Sequence, residues 1–282
     1  MSSAARRPAA VRVARGVLER PGVERYVAAA LRARTVRESL RFAARELAGS
    51  RALACYRVRE SGLPIFVRHG TPDVFTLDQA FYQRHFDPPA EVDARLRSRD
   101  PLRILDLGAN IGLFAIAMLG RYRHARVTAF EPDPQNAAVL ERVIAANGGA
   151  ARCSLVRACA AASNGRVRFS AGEFGVSHAA GEGEPATGEV ESRDAFPHLA
   201  EADLAKIDIE GSEWELLADP RFAMLPTAAL HLEFHPRNAP GPDPATAAVD
   251  AVERAGYAHA PVRHTAEGAG MLWAWKSGAR RR

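Results

Sequence analysis

Four short segments of the chain carry residue types that could do chemistry on a bound small molecule. The first, residues 104–112, reads ILDLGANIG. An apolar run ends in Asp106, turns at Gly108 and passes Asn110 to Gly112. Glycines let a backbone turn sharply and approach a ligand closely. The spacing is G-x-x-x-G, without the middle glycine that a dinucleotide pyrophosphate loop needs. An acid beside the loop is a poor neighbour for a pyrophosphate and a good one for a cation, such as a sulfonium with a free amino group. The second segment, RVTAFEP, ends in Glu131, nineteen residues after Gly112. A carboxylate at that strand end can accept hydrogen bonds from both hydroxyls of a ribose. Together the two segments point to nucleoside binding.

The third segment is KIDIEGSE, residues 206–213. Alternation along a strand sets Lys206, Asp208 and Glu210 on one side. Three charges in a buried strand are costly unless they pair or stand at its end. The fourth, LEFHP, puts Glu233 and His235 on one side of the next strand, with His231 deeper and read as structural. Beside Asp208 and Glu233, His235 could serve as a general base. A divalent ion held by the acid cluster is the weaker alternative.

These segments need a scaffold that brings strand ends together. After Pro101 strand-like and helix-like stretches alternate: LRILDLG, IGLFAIAMLGRY, RVTAFEP, PQNAAVLERVIAANG, CSLVRACA, LAKIDIEG, SEWELLADP, AALHLEFHP and PATAAVDAVERAGY. Such βα alternation implies an α/β fold with a doubly wound, mostly parallel sheet, whose ligands sit at the carboxyl ends of the strands. AHAPVRH and GMLWAWK are expected to close it as an antiparallel hairpin. The expected organisation has four parts. Residues 1–51 form a basic, partly helical extension, with 23–48 helical and Thr35 and Glu38 as a capping box. Residues 52–100 form a lead-in of short strands and a helix. Residues 101–276 form the main domain with an inserted hairpin at 165–190, and 277–282 a basic tail. The glycine-rich insert could lie over the site as a lid. Asp133 and Pro134 are placed to start a helix.

Composition bounds the function. The chain has 282 residues and a formal charge of +5. Residues 1–51 hold twelve arginines and four glutamates, so the rest is mildly acidic. Global basicity is therefore weak evidence for a nucleic-acid partner. Lys206 and Lys276 are the only lysines. No apolar run approaches a membrane span, and the first residues lack the apolar core of a secretory signal. Cys55, Cys153 and Cys159 are an odd set without zinc spacing, and a reduced, cytoplasmic protein is expected.

Read with these motifs in hand, the chain resembles the FkbM family of S-adenosylmethionine-dependent methyltransferases. RHGTPDVFTLDQAF (68–81) is similar to the family's lead-in, and DLGANIG (106–112) and FEPDPQN (130–136) to its cofactor motifs. KIDIEGSE resembles its fourth strand and LEFHP its fifth. The resemblance covers 52–276. It implies the seven-stranded class I methyltransferase sheet, S-adenosylmethionine as cofactor, and transfer to a hydroxyl oxygen of a sugar, glycolipid or polyketide-type natural product. Asp106, Gly108, Asn110, Gly112 and Glu131 fall in its cofactor motifs, and Ala160 is placed at the cofactor with them. On the implied reaction the acceptor hydroxyl would enter above Asp208, Glu233 and His235, with His235 or Asp208 taking its proton. Cys159 stands before Ala160 where the family often has a polar residue. The insert's 174–178, FGVSH, is similar to a family segment with a serine near the site. A nucleic-acid methyltransferase would use the basic arm, but IDIEG replaces the Asn/Asp-Pro-Pro-aromatic motif of base amino methylation. A non-catalytic cofactor-binding protein is the remaining rival.

Overall fold

The computed structural model describes residues 23–170, 178–179, 185–265 and 268–276. The arginine-rich lead at 1–20, the insert's 174–177 and the tail at 277–282 lie outside the described residues. Helices α1 (Val23–Ala33) and α2 (Ser39–Leu47) precede the antiparallel hairpin β1 (Leu53–Arg57) and β2 (Pro64–Arg68). Helices α3 (Asp73–Phe81) and α4 (Ala90–Arg97) follow; α4 has no counterpart in the sequence reading. The alternating region gives β3 (Leu102–Leu107), α5 (Leu113–Arg121), β4 (Ala125–Phe130), α6 (Pro134–Ala146) and β5 (Cys153–Val156). Then come β6 (Cys159–Ala161), β7 (Gly165–Ser170), β8 (His178–Ala179) and β9 (Gly188–Asp194). The last part holds α7 (Phe196–Glu201), β10 (Leu204–Ile207), α8 (Glu213–Ala218), α9 (Pro220–Ala223), β11 (Ala229–Phe234), α10 (Pro244–Arg254), β12 (Tyr257–His259), β13 (Arg263–His264) and β14 (Gly270–Lys276).

The main sheet runs β12-β14-β11-β10-β3-β4-β5, with two-residue β13 as an eighth strand paired to β14. Strands β5, β4, β3, β10 and β11 are parallel, and β14 inserts antiparallel between β11 and β12. The order reverses at β3 and β10, so the carboxyl ends of these neighbours border the crevice where such sheets bind ligands. Their burial explains the near-continuous apolar runs: β10 is buried at all four positions and β3 at all but Arg103. One apolar cluster on the α5 side joins Ile104, Phe114 and Leu140 to Phe42, Tyr56 and Leu77. The other, on the opposite face, joins Leu105, Phe196, Trp214 and Val252.

Val36 and Phe42 of the N-terminal extension sit in the same core as β3. Two expectations change. The capping box does not form: Thr35 Oγ1 donates to the Arg32 carbonyl, and Glu38 accepts the Arg57 N–H instead of capping α2. CSLVRACA is not one strand either. It breaks at 157–158, sending β5 to the main sheet and β6 to a small sheet ordered β6-β9-β7-β8. That small sheet contains the expected hairpin, with Val167 opposite Val190 and strand pairing reaching Ser192. The start of α6 follows the sequence directly: the Asp133 carboxylate accepts from the Gln135 and Asn136 N–H groups, with Pro134 in the first turn.

Candidate active site

Strand β3 delivers Asp106 and then turns at Gly108, whose φ is 78°. A Cβ there would lie 1.8 Å from the Asp208 carbonyl oxygen, so only glycine lets the β3 and β10 loops meet. Gly112, at φ 85°, answers a different need. A Cβ there would lie 2.6 Å from a Leu140 methyl, so Gly112 lets α5 start against α6 and does not face the cavity. Asp106 also differs from its expected role. It is fully buried, lines no cavity wall and faces Lys206, whose Nζ lies 3.6 Å away. Burial, opposed by Lys206, pushes its carboxyl up to about 6. Both Asp106 oxygens are buried without a hydrogen-bond partner among the described residues, and its link to the loop runs through Lys206, which donates to the Gly108 carbonyl.

Glu131 is almost fully buried at the end of β4, where it accepts the Asn110 N–H at 2.7 Å and the Asp133 N–H at 2.9 Å. Burial raises its carboxyl to about 7 against those two donors. Its position is fixed further by Arg68, which binds the buried Asp73 through two nitrogens, at 2.8 Å each, and reaches Asn136 at 2.6 Å. That bidentate fork ties the lead-in to the start of α6. Glu131 lines a cavity with Gly108, Asn110 and Ala160, closed on the insert side by Phe169 and Ala179. The insert thus contributes a wall.

A second cavity opens on the other side of the Gly108 loop. Phe75, Thr76 and Gln79 of α3 form one wall, and Lys206, Glu233 and His85 line it too. Phe75 is 59% exposed, and the Arg32 guanidinium stacks on its ring at 4.6 Å. Gly108, Asn110, Asp208 and Glu210 line both cavities. Asn110 and Glu210 hold left-handed backbone, at φ 50° and 55°, a strained state for such residues that clusters at functional sites. The buried Asn110 Oδ1 finds no hydrogen-bond donor among the described residues.

The sheet register explains the charges between them. Lys206 pairs with Asp106 on one side and His231 on the other. Its buried ammonium donates to the Gly108 carbonyl at 3.0 Å and pairs with Asp208 at 2.9 Å. A buried charge left alone would cost several kcal/mol, so this lysine and the acids stabilise one another. Burial pushes the Asp208 carboxyl up, but Lys206 and His235 outweigh it and hold it below the usual range. Burial and the Asp208 charge raise Glu210 to about 7 and Glu233 to about 8. Asp208, Glu233 and His235 each bring one ligand-type atom within 4.8 Å of the others.

His235 is held by a residue that strand-end reasoning did not single out. Glu213, fully buried at the start of α8, accepts the His235 backbone N–H at 2.7 Å and faces its Nδ1 at 3.1 Å. The other Glu213 oxygen accepts the Gly211 N–H at 2.8 Å. The imidazole Nε2 lies 3.5 Å from Glu210. Burial alone would lower the imidazole, but Glu213, Asp208 and Glu210 raise it to about 9. That direction favours the imidazolium form at neutral pH and weighs against the expected proton-accepting role. Glu213→Gln should lower the His235 titration by about one pH unit, since removing an adjacent opposite charge disfavours the charged form. Histidine NMR reads it directly; an unchanged titration would show that Glu213 only braces the backbone.

Asp208, Glu233 and His235 are therefore brought together, and so are Gly108, Asn110, Glu131 and Ala160. Glu210 and Glu213 join them. Alternation had already set Glu210 beside Lys206 and Asp208, whereas the only sequence signal for Glu213 was its place in the acid-rich segment after β10.

Residues 106–258 match the family described as Methyltransferase FkbM domain. Among curated proteins none matches the chain. Solved structures with similar folds include the precorrin-6y C5,15-methyltransferase of Geobacter metallireducens GS-15. It is 20% identical, with 67% of this chain and 87% of that one covered at a TM-score of 0.39. An O-methyltransferase family protein from Burkholderia thailandensis is 15% identical, over 74% of this chain and 60% of that one, at 0.41. TYW2 of M. jannaschii, in complex with AdoMet, is 12% identical, over 80% and 86%, at 0.43. At such scores these likenesses say nothing about the reaction.

Proposed function

The chain belongs to the FkbM methyltransferase family, and on that premise we propose that it is an O-methyltransferase: it moves the methyl group of S-adenosylmethionine to a hydroxyl of a sugar, glycolipid or polyketide-type acceptor. The observation that carries this reading is the pair of cavities meeting at Gly108, Asn110, Asp208 and Glu210. A direct displacement needs donor and acceptor on opposite sides of one narrow passage, and their alignment supplies much of the rate.

The Glu131 cavity suits the cofactor. It offers a buried carboxylate for a ribose diol, and the unmet Asn110 oxygen calls for a donor such as an ammonium group. Bound there, S-adenosylmethionine would supply an electrophilic methyl on a sulfonium. Glu131 would hold the ribose, and Gly108, Asn110 and Ala160 would line the rest. Asp106 acts through Lys206 and the loop.

The second cavity suits a hydroxylated acceptor. Phe75 offers an apolar ring face, while Thr76 and Gln79 offer polar groups beside it. An alcohol is a weak nucleophile at neutral pH, so a base must remove its proton as carbon–oxygen bonding develops. Glu210 fits that task. It borders both cavities and titrates near neutrality, whereas Asp208 is committed to Lys206. As the acceptor oxygen takes the methyl group, its proton passes to the Glu210 carboxylate. His235 stabilises that carboxylate before transfer, and Glu233 orients the hydroxyl.

We read the transfer as metal-independent, because Lys206 already supplies the positive charge at Asp208 that an ion would supply. Chelation should change turnover by less than about twofold, where a metal-assisted step would lose far more. A tenfold loss restored by magnesium would overturn this. The reaction itself is tested by incubating the protein with methyl-labelled S-adenosylmethionine and hydroxylated acceptors. Label in an alkali-stable ether supports the reading; label in an amine or ester contradicts it.

A further inference from the structure

A third cavity lies beside the acceptor cavity, with His85 as a wall common to both. We infer that it is an oxyanion subsite for the acceptor, so that the substrate is a hydroxylated molecule bearing a phosphate or carboxylate. The inference rests on the proposed reaction for the identity of the first cavity, but its evidence is separate.

Arg263 of β13 pairs with Met271 of β14, and Met271 pairs with Glu233 of β11. Directly paired residues of antiparallel strands share a face, and each strand spacing is about 4.8 Å. Arg263 therefore stands on the same face as Glu233, two strands away. It lines the third cavity and makes no ion pair or hydrogen bond among the described residues. One rung deeper, Trp273 pairs with His231 and lines the same cavity. Trp273 is 7% exposed, and its Nε1–H has no acceptor among the described residues. His85 Nδ1 is likewise buried and unpaired. A buried indole N–H normally finds a partner, so one without an acceptor points to an occupant that supplies it.

The polarity is opposite to that of the neighbouring cavity. The acceptor cavity is walled by Asp208, Glu210 and Glu233. The third cavity is walled by a guanidinium and an indole N–H that have no hydrogen-bond or ion-pair partner among the described residues. Its one lining carboxylate, Asp87, is neutralised by Arg84 at 3.1 Å and Arg121 at 3.3 Å. A neutral hydroxyl could accept from the Trp273 N–H, but only an oxyanion also matches the charge of the exposed Arg263 guanidinium. Charge-assisted bonds of this kind are about twice as strong as neutral ones.

The test uses the full chain and three probes, glucose, glucose 6-phosphate and glucuronate, titrated by calorimetry and ligand-observed NMR. At least one charged sugar should bind about tenfold more tightly than glucose, and the stronger of the two identifies phosphate or carboxylate. Arg263→Gln, on an exposed strand and outside the catalytic cluster, should erase that preference. Trp273→Phe should reduce it while keeping the ring. Equal binding of charged and neutral sugars, a preference that survives Arg263→Gln, or no binding of either charged sugar overturns the assignment. Titration with S-adenosylmethionine in the same variants is read independently: its loss in the parent protein would sink the cofactor reading and leave the oxyanion result standing on its own.

Discussion

Glu210→Gln is expected to lower kcat by about 10²- to 10⁴-fold, the range a positioned general base contributes. The substitution keeps the shape of the side chain and removes only its capacity to take a proton. Affinity for S-adenosylmethionine should stay within a few fold. In the parent protein the rate should rise as pH increases through about 7, because the base works only after losing its own proton. It should fall again as pH passes about 9, where His235 loses the charge that steadies the acid cluster. The profile is then a bell, and its limbs describe the coupled cluster rather than isolated residues. In Glu210→Gln the rising limb should vanish along with most of the rate. A rising limb that persists at near-parent rate would move the base to Glu233, which burial and Asp208 raise to about 8.

The second large effect belongs to Glu131. Glu131→Ala should weaken S-adenosylmethionine binding by about 30- to 100-fold, or about 2–3 kcal/mol, the scale of lost hydrogen bonds to a charged group. Part of that loss comes from the protein itself. The Asn110 and Asp133 N–H groups both end on this carboxylate, so truncation loosens the Gly108 loop and the entry to α6. Glu131→Gln preserves one acceptor oxygen and should fall between parent and alanine forms. Circular dichroism of both variants separates lost binding from lost folding. Unchanged affinity in both would place the cofactor elsewhere.

The sequence made some of this legible because the deciding physics is local. A run of apolar residues, an acid, a glycine turn and a helix start read directly as β3, the Gly108 loop and α5. Asp133 and Pro134 announced α6 for the same reason. Alternation set Lys206 beside its acids, but β10 ends at Ile207, so the pairing with Asp208 is made to the loop just beyond the strand. What sequence reasoning missed depends on partners distant along the chain. Asp106 lies beneath its loop because Lys206, a hundred residues later, draws its carboxylate into the sheet. Gly112 serves Leu140, not a ligand. His235 looked like a base until Glu213, twenty-two residues earlier, was seen to hold its ring. The capping box failed because Glu38 found the Arg57 N–H on the neighbouring strand. In each case a tertiary contact outweighed the local pattern.

The central claim is that the Glu131 cavity holds the cofactor and opens onto the acceptor at Asp208 and Glu210. A crystal structure of the protein with S-adenosylhomocysteine tests it most directly. The account predicts the ribose hydroxyls on Glu131, the adenosyl group toward Ala160 and the sulfur facing the Asp208–Glu210 border. The ligand bound in another cavity, or in this one with its sulfur turned away from that border, would contradict it.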